Sequence, residues 1–185
     1  MTDLGIAGTV ARFKPVHKGH AAVLEALCER AEHVYIGLGS CNKYDVRNPF
    51  TAKESAEMID LVLKPQYSNY SFIEVHDLGH GPRWREQAIR LFGTLDHFVT
   101  GNDYVESLLK DVYKVVNSLT VVPEDKRCPV NGTMVRLAIA RSEPWEHLVL
   151  DSVAVYIKEH GLVDRFCHEF GLETLATHAF AGDVK

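Results

Sequence analysis

Two histidines lie three residues apart in the segment RFKPVHKGH, which spans residues 12–20. If a helix begins within this segment, His17 and His20 share one of its faces. A helix N-terminus offers free N–H groups and the positive end of the helix dipole, and both favour an anion. The two imidazoles can donate to phosphoryl oxygens, while Arg12, Lys14 and Lys18 add positive charge. The segment therefore predicts a phosphate site; a zinc site is disfavoured because no third ligand lies nearby.

Arg47 lies just before a second candidate helix start. Thr51 is the predicted N-cap of that helix, and Glu54 follows three positions later, which makes a capping box. A basic residue in front of a capped helix suits the binding of a phosphate or carboxylate. The alternative is a solvated arginine before an ordinary capped helix.

A third candidate helix start lies in the segment NGTMVR, residues 131–136. Asn131 or Thr133 can cap a helix that begins near Gly132, and the N-terminus of that helix can hold an anion. Arg136 lies about one helical turn further on. A plain helix start is the alternative. The position of the segment after a predicted strand favours a phosphate site.

Three further residues follow predicted strands and are candidates for contacts with a ligand. Asp77 is followed by Trp84, which can stack on a ligand ring, although tryptophan more often packs in a core. Asn102 can bind a ribose or base, or can simply cap the helix after it. His76 and His80 have the spacing of helical metal ligands, but the glycines around them argue against a helix. The sequence therefore predicts no metal site.

Short apolar runs alternate with amphipathic stretches along the chain. The predicted strands are Leu4–Val10, His33–Gly39, Tyr70–Val75, Asp96–Thr100 and Leu119–Val122. The predicted helices are Ala21–Ala31, Thr51–Leu63, Arg83–Phe92 and Tyr104–Val115, and the chain from Gly132 onward is helical with breaks near Pro144 and Gly161. Strands without a polar face indicate an α/β fold, a parallel sheet covered by helices on both faces. Each candidate segment follows a predicted strand, at the sheet edge where ligands bind in such folds.

Length and composition indicate one globular domain. We expect a domain over residues 1–160 and a helical C-terminal extension of it over residues 161–185. The chain of 185 residues is 46% hydrophobic and has a net charge of −5, which argues against sequence-blind binding to nucleic acid. The four cysteines are scattered and form no C-x-x-C pair. No secretory signal and no apolar stretch near the ~18 residues of a membrane span is present, so we expect a cytoplasmic protein without a membrane partner.

The segment at residues 12–20 resembles the H-x-G-H signature of the nucleotidyltransferase superfamily. Its fuller form, R-F-x-P-x-H-x-G-H, resembles the archaeal-type nicotinamide mononucleotide (NMN) adenylyltransferases. The resemblance runs from about Leu4 to about Lys158 and includes R-[DN]-P-F-T-x-x-E-R at Arg47 and [ST]-G-T-x-[VI]-R at Asn131. It departs from the family at Ser55, usually arginine, and at Gly81, often asparagine.

This resemblance implies a Rossmann-like sheet and the transfer of AMP from ATP to NMN, with release of pyrophosphate. Catalytic roles are implied for His17, His20 and Arg136. Contacts to ATP or its phosphates are implied for Arg12, Lys18, Arg47, Asn102, Asn131, Gly132 and Thr133. Acceptor contacts are implied for Asp77 and Trp84. Mg²⁺ would arrive with ATP, bound mainly by phosphate oxygens and water, and the family commonly forms homo-oligomers.

Two alternatives remain open from the sequence. The same triphosphate site could serve another acceptor, such as pantetheine phosphate, or CTP with a phospho-alcohol. Alternatively, Ser55 and Gly81 could mark a nucleotide-binding sensor that keeps the fold without the chemistry. A dehydrogenase is disfavoured because no G-x-G-x-x-G follows the first strand.

Overall fold

In the computed structural model, which describes residues 3–179, a five-stranded parallel sheet forms the centre of the molecule. Its strands are β1 (Ile6–Ala11), β2 (His33–Gly39), β3 (Tyr70–Val75), β4 (His97–Thr100) and β5 (Val115–Asn117). The strands lie in the order β3-β2-β1-β4-β5, and every neighbouring pair is parallel. The chain therefore reverses its direction across the sheet between β1 and β4. Such a reversal opens a crevice at the carboxyl ends of the strands.

Helices cover both faces of the sheet, which confirms the predicted α/β, Rossmann-like fold. They are α1 (Lys18–Arg30), α2 (Ala52–Leu63), α3 (Gly81–Phe92), α4 (Asp103–Leu109), α5 (Ser118–Val121), α6 (Gly132–Ala140), α7 (Asp151–Glu159), α8 (Leu162–Phe166) and α9 (Leu172–Ala179). Short 3₁₀ turns occur at Glu124–Lys126 and Glu146–Leu148, and a π-helical turn at Cys167–Gly171. The larger apolar core lies between one face of the sheet and α1, α2 and the C-terminal helices. A smaller core lies between the other face of the sheet and α3 and α4.

The predicted fifth strand, Leu119–Val122, is wrong. Most of that run forms α5, because the Asn117 side chain accepts a hydrogen bond from the Leu119 amide at 2.9 Å and caps the turn. Val121 and Val122 are buried, but a short apolar run at a core does not distinguish a strand from a helix.

The strand β5 instead begins at Val115, where a helix was predicted to end. Val115 and Val116 pair with Phe98 and Val99 of β4, so α4 ends at Leu109. The other strand and helix bounds are close to those predicted, although α1 begins at Lys18 rather than near residue 21.

The capping box predicted at the start of α2 is confirmed. Thr51 Oγ1 accepts a hydrogen bond from the Glu54 amide at 3.2 Å, and the Glu54 carboxylate accepts one from the Thr51 amide at 2.8 Å. The start of α3 differs from its prediction: the helix begins at Gly81 and is capped by the His80 ring.

The chain after Gly161 packs on the same core as the sheet. Leu162 and Phe166 are buried, and the Phe166 ring stacks with that of Phe50 at a centroid distance of 6.4 Å. The division at residue 160 stays a prediction, and residues 180–185 of the predicted extension lie outside the described residues. Within residues 3–179, every helix is too short or too polar to cross a membrane.

Candidate active site

A cavity of about 1110 Å³ opens at the carboxyl ends of the strands, at the reversal point between β1 and β4. This volume exceeds the roughly 300–1,000 Å³ of a pocket for one drug-sized ligand, so two ligands can share it. Of the predicted site residues, the cavity wall includes Arg12, His17, His20, Asp77, Trp84, Asn102, Asn131, Gly132, Thr133 and Arg136. Lys18 and Arg47 do not line it.

The histidine pair forms one end of the cavity. His17 is the N-cap of α1, and its Nδ1 accepts a hydrogen bond from the His20 amide at 3.3 Å. In a neutral ring the proton of His17 therefore resides on Nε2, which is left as a donor. The two rings stack with centroids 3.6 Å apart. A Cβ at Gly19 would approach the Val130 carbonyl oxygen to 2.9 Å, so a residue without a side chain is needed between the histidines.

Both histidines favour the neutral form. Burial, followed by the charge of Arg136, lowers the pKa of His17 to about 4. Burial, followed by the neighbouring His17, lowers the pKa of His20 well below its ordinary value. Nδ1 of His20 is buried without a hydrogen-bond partner in the described part of the chain. A neutral imidazole can donate an N–H to an anion without the cost of burying a cation.

Arg136 brings a buried cation to the same end. Its Nη1 donates to the Lys14 carbonyl oxygen at 2.8 Å and its Nη2 to Thr133 Oγ1 at 3.2 Å. Gly132 leaves room for this side chain, because a Cβ there would lie 3.0 Å from Nη1. Burial, followed by the charges of Arg12 and Arg47, lowers the pKa of Arg136 to about 10.

Three arginines thus concentrate positive charge near the histidines. Among residues 3–179, no carboxylate lies within salt-bridge distance of Arg12, Arg47 or Arg136. Like charges destabilise one another, Asp45 offsets less of this at Arg136 than the other two arginines impose, and a bound polyanion would remove the remaining cost. Although Arg47 lies outside the cavity wall, its effect on Arg136 places its charge at this end.

The loop that carries Arg47 is tied down at several points. Asp45 Oδ1 accepts hydrogen bonds from the amides of Arg47 and Asn48, each at 2.9 Å. The buried Lys14 Nζ donates to the Ser40 carbonyl oxygen at 2.9 Å, and burial lowers the pKa of Lys14. Lys14 also lines the cavity, where the sequence predicted that it adds charge. Its hold on the loop is a role that the sequence did not indicate.

Two asparagines cap helices at the cavity wall. Asn131 Oδ1 accepts a hydrogen bond from the Met134 amide at 3.0 Å, and Asn102 Oδ1 accepts one from the Tyr104 amide at 2.9 Å. Each cap engages the side-chain oxygen and leaves the amide NH₂ as a donor. Both asparagines thus cap a helix and remain able to contact a ligand.

The other end of the cavity lies over the opposite face of the sheet, beside α3 and α4. Asp77 and Trp84 line this end. Asn42 holds Asp77 in place, since its Oδ1 accepts from the Asp77 amide at 2.7 Å and its Nδ2 donates to the Asp77 carbonyl oxygen at 3.0 Å. A half-buried tryptophan at a cavity wall offers a face for an aromatic ring.

Several wall residues were not predicted from the sequence as contacts of the nucleotide or the acceptor. Ser118 follows β5 and its Oγ lies 2.6 Å from where a Cβ of Gly101 would be. The wrong prediction of β5 concealed Ser118. His80 and Tyr104 also line the cavity, and only the packing of α3 against α4 reveals them.

The cytidylyltransferase-like family model matches residues 9–158, so the chain belongs to that family of nucleotidyltransferases. The nicotinamide-nucleotide adenylyltransferase of Pyrococcus furiosus is 35% identical over 162 residues, 84% of each chain. That of Pyrococcus horikoshii is 35% identical over 173 residues, 91% of this chain and 88% of its own. The chain is therefore a member of the nicotinamide-nucleotide adenylyltransferases, as the sequence motifs predicted.

Solved structures agree on the fold. The bifunctional NMN adenylyltransferase/ADP ribose pyrophosphatase of Francisella tularensis superposes with a TM-score of 0.71 at 15% identity, covering 96% of this chain and 54% of that one. This chain thus spans about half of the bifunctional protein. The nicotinic acid mononucleotide adenylyltransferase of Plasmodium falciparum superposes with a TM-score of 0.59 at 11% identity, covering 87% and 98%.

Proposed function

We propose that the chain transfers AMP from ATP to NMN and releases NAD and pyrophosphate. The observation that carries this proposal is one cavity with two chemically different ends. One end holds the neutral pair His17 and His20 beside the buried Arg136, and the other holds Asp77 and Trp84. The family relationship supports the same reaction.

The reaction is an in-line attack of the NMN 5′-phosphate on the α-phosphorus of ATP. The attacking phosphate is already anionic near pH 7, so no general base is needed. Catalysis then consists of positioning and of stabilising the charge on the transferring group. His17 donates from Nε2 and, with His20, contacts the α- and β-phosphate oxygens; Arg12 and Lys18 add charge.

The leaving pyrophosphate is held by Arg136 and by the N-terminus of α6, where Gly132 and Thr133 present backbone N–H groups. Arg47 bridges to nucleotide phosphate. Asn102 contacts the adenosine portion with its free NH₂. Within residues 3–179, no group of three or more His, Cys, Asp or Glu side chains is arranged to hold a metal ion. Mg²⁺ enters with ATP as part of the substrate, ligated by phosphate oxygens and water.

The acceptor lies at the other end, with its ring against Trp84 and with Asp77 beside it. Incubation with ATP, Mg²⁺ and one of NMN, nicotinic acid mononucleotide or phosphopantetheine, followed by mass spectrometry, names the acceptor. We expect NAD as the preferred product. Product from phosphopantetheine alone would overturn the proposal, and ATP binding without pyrophosphate release from any acceptor would identify a sensor.

The assignment of the histidines has its own test. We expect His20→Ala to lose at least about 100-fold in kcat, because removing one preorganised donor to a developing charge costs roughly 2.7–4 kcal/mol. Turnover close to that of the wild type would remove His20 from the catalytic group. A homo-oligomer is proposed from the family relationship alone, and light scattering of the purified protein tests it.

A further inference from the structure

The hydroxyl of Tyr104 occupies the space next to Gly81. A Cβ added at Gly81 would overlap the Tyr104 Oη and would lie 3.4 Å from a Leu108 methyl group. Gly81 begins α3, whereas Tyr104 belongs to the first turn of α4. The two helices thus meet where any side chain at position 81 would displace the tyrosine.

Contacts between α3 and α4 and within the first turn of α4 hold the two helices at this point. Arg85 Nε donates to the Leu108 carbonyl oxygen at 2.8 Å, and Arg85 Nη2 forms a salt bridge with Asp111 at 2.6 Å. The Asn102 cap holds the amide of Tyr104 itself. The packing of α3 on α4 therefore brings Tyr104 beside Gly81.

Tyr104 has the features of a ligand contact rather than of a packing residue. Its side chain lines the cavity together with Asp77 and Trp84, yet the residue is 61% exposed. Within residues 3–179 its hydroxyl makes no hydrogen bond. A phenol both donates and accepts, so it can pair with a carboxamide, which has the same two capacities.

We propose that the Tyr104 hydroxyl binds the carboxamide on the acceptor's pyridine ring. The lack of a side chain at Gly81 leaves room for this hydroxyl. The inference rests on the proposed function, because it needs the acceptor ring at this end of the cavity. Two polar neighbours are partly engaged: Asp77 Oδ1 accepts from the Gly79 amide at 2.9 Å, and His80 Nδ1 accepts from the Arg83 amide at 3.3 Å. The other Asp77 oxygen can only accept and His80 Nε2 can only donate, whereas the Tyr104 hydroxyl can do both.

The first test pairs a change in the enzyme with a change in the substrate. Tyr104→Phe removes only the hydroxyl, and the mononucleotide of unsubstituted pyridine lacks only the carboxamide. We expect Tyr104→Phe to lower kcat/KM for NMN about 2- to 10-fold, as for the loss of one neutral hydrogen bond. The loss should lie in KM for NMN, with KM for ATP unchanged, and it should vanish with the unsubstituted acceptor.

Equal losses with both acceptors, or no loss with NMN, would overturn the assignment of the hydroxyl. Tyr67→Phe is the matched control, since that hydroxyl bonds to Glu29 away from the cavity. If the wild type makes no NAD from NMN, the proposed function fails. If the wild type makes NAD and Tyr104→Phe is unaltered, only the present inference fails.

The second test examines the pairing of Gly81 with Tyr104. Gly81→Asn in the wild-type background should displace the phenol and lower kcat/KM for NMN more than Tyr104→Phe does. In a Tyr104→Ala background the space is empty, so Gly81→Asn should cost little or restore activity. A double-mutant cycle measures this coupling. Equal costs in the two backgrounds would contradict it, and circular dichroism of each variant separates loss of contact from loss of fold.

Discussion

The rings of His17 and His20 stack at a centroid distance of 3.6 Å and an angle of 24°. Two imidazolium cations at this distance would repel each other, and Arg136 adds a third positive charge nearby. The stack is therefore stable only while the rings are neutral. A polyphosphate would bring negative charge to this cluster, and its binding would relieve the repulsion among these groups.

The pKa of His17 predicts a pH-dependent stability. The unfolded residue binds a proton near pH 6.5, whereas the folded one does so only near pH 4. Between these values the unfolded state holds more protons, so the free energy of unfolding should fall as the pH drops from 6.5 towards 4. The slope is up to about 1.4 kcal/mol per pH unit for each such histidine.

Denaturant titrations at several pH values in this window measure that slope. His17→Asn should lower this slope by up to about 1.4 kcal/mol per pH unit, the contribution of one proton. Asparagine can keep the cap bond to the His20 amide without titrating. His168→Asn, at an exposed position beyond α8, serves as the control. If the free energy of unfolding falls with pH equally steeply in the wild type and in His17→Asn, burial of a neutral His17 does not cause the pH dependence.

The buried charge of Arg136 predicts how ATP stabilises the protein. A ligand at 100 times its Kd raises the free energy of unfolding by about 2.7 kcal/mol, and we expect ATP to produce a Tm increase of this origin in the wild type. Arg136→Met should reduce the increase strongly at the same ATP concentration. Arg141→Met changes an exposed arginine at the end of the same helix and should keep it. An undiminished shift in Arg136→Met would exclude this arginine from the phosphate site.

Local signals made much of this site predictable from the sequence. Glu54 three residues after Thr51 specifies a helix start through contacts within one turn, and the structure contains them. The motifs around His17 and Arg136 each lie in one short loop after a strand or at a helix start. Because parallel strands end at one edge, their convergence follows from the fold.

Contacts between distant segments could not be predicted in this way. The hydroxyl of Tyr104 meets Gly81 only because α3 packs on α4, and nothing in either local sequence encodes that. The run at Leu119–Val122 suits burial in a strand or a helix equally well. In the structure Val115 and Val116 occupy the position beside β4 instead.

Ser55, where the family usually has arginine, also has a role that only packing reveals. The residue is fully buried, and its Oγ donates to the Phe13 carbonyl oxygen at 3.1 Å. Phe13 has a φ of 54°, which is a left-handed conformation that is unfavourable for residues other than glycine. Ser55→Ala should lower the free energy of unfolding by about 1–3 kcal/mol, because a buried carbonyl loses its partner.

Urea denaturation of Ser55→Ala tests this, with Ser107→Ala as the control. The Ser107 hydroxyl bonds to a carbonyl on the exposed surface of α4 and should matter little. Ser55→Thr keeps the hydroxyl and should retain more stability than Ser55→Ala if the added methyl group fits. Equal stability of Ser55→Ala and the wild type would show that the bond to Phe13 contributes nothing.

Arg165 of α8 lies beside the capping box that Thr51 and Glu54 form at the start of α2. Arg165 of α8 forms two hydrogen bonds with the Glu54 carboxylate, at 2.6 and 2.8 Å, and donates to the Pro49 carbonyl oxygen at 3.1 Å. The Arg165 and Glu54 side chains are only 29% and 15% exposed. Arg165 thus ties the C-terminal helices to the loop that ends in Thr51 and carries Arg47.

Arg165→Ala should therefore affect both stability and substrate binding. We expect the free energy of unfolding to fall by about 1–3 kcal/mol, as for charge-assisted bonds that are partly shielded from water. The KM for ATP should rise while kcat changes less, because the loop that carries Arg47 loses a support. Lys126→Ala removes only the salt bridge to Glu29, in which the two side chains are 56% and 47% exposed, and should change stability by less than about 1 kcal/mol. Arg165→Lys keeps the charge without the two parallel bonds, so intermediate values support positioning by Arg165. A loss of stability with an unchanged KM for ATP would mean that Arg165 stabilises the fold without positioning the loop that carries Arg47.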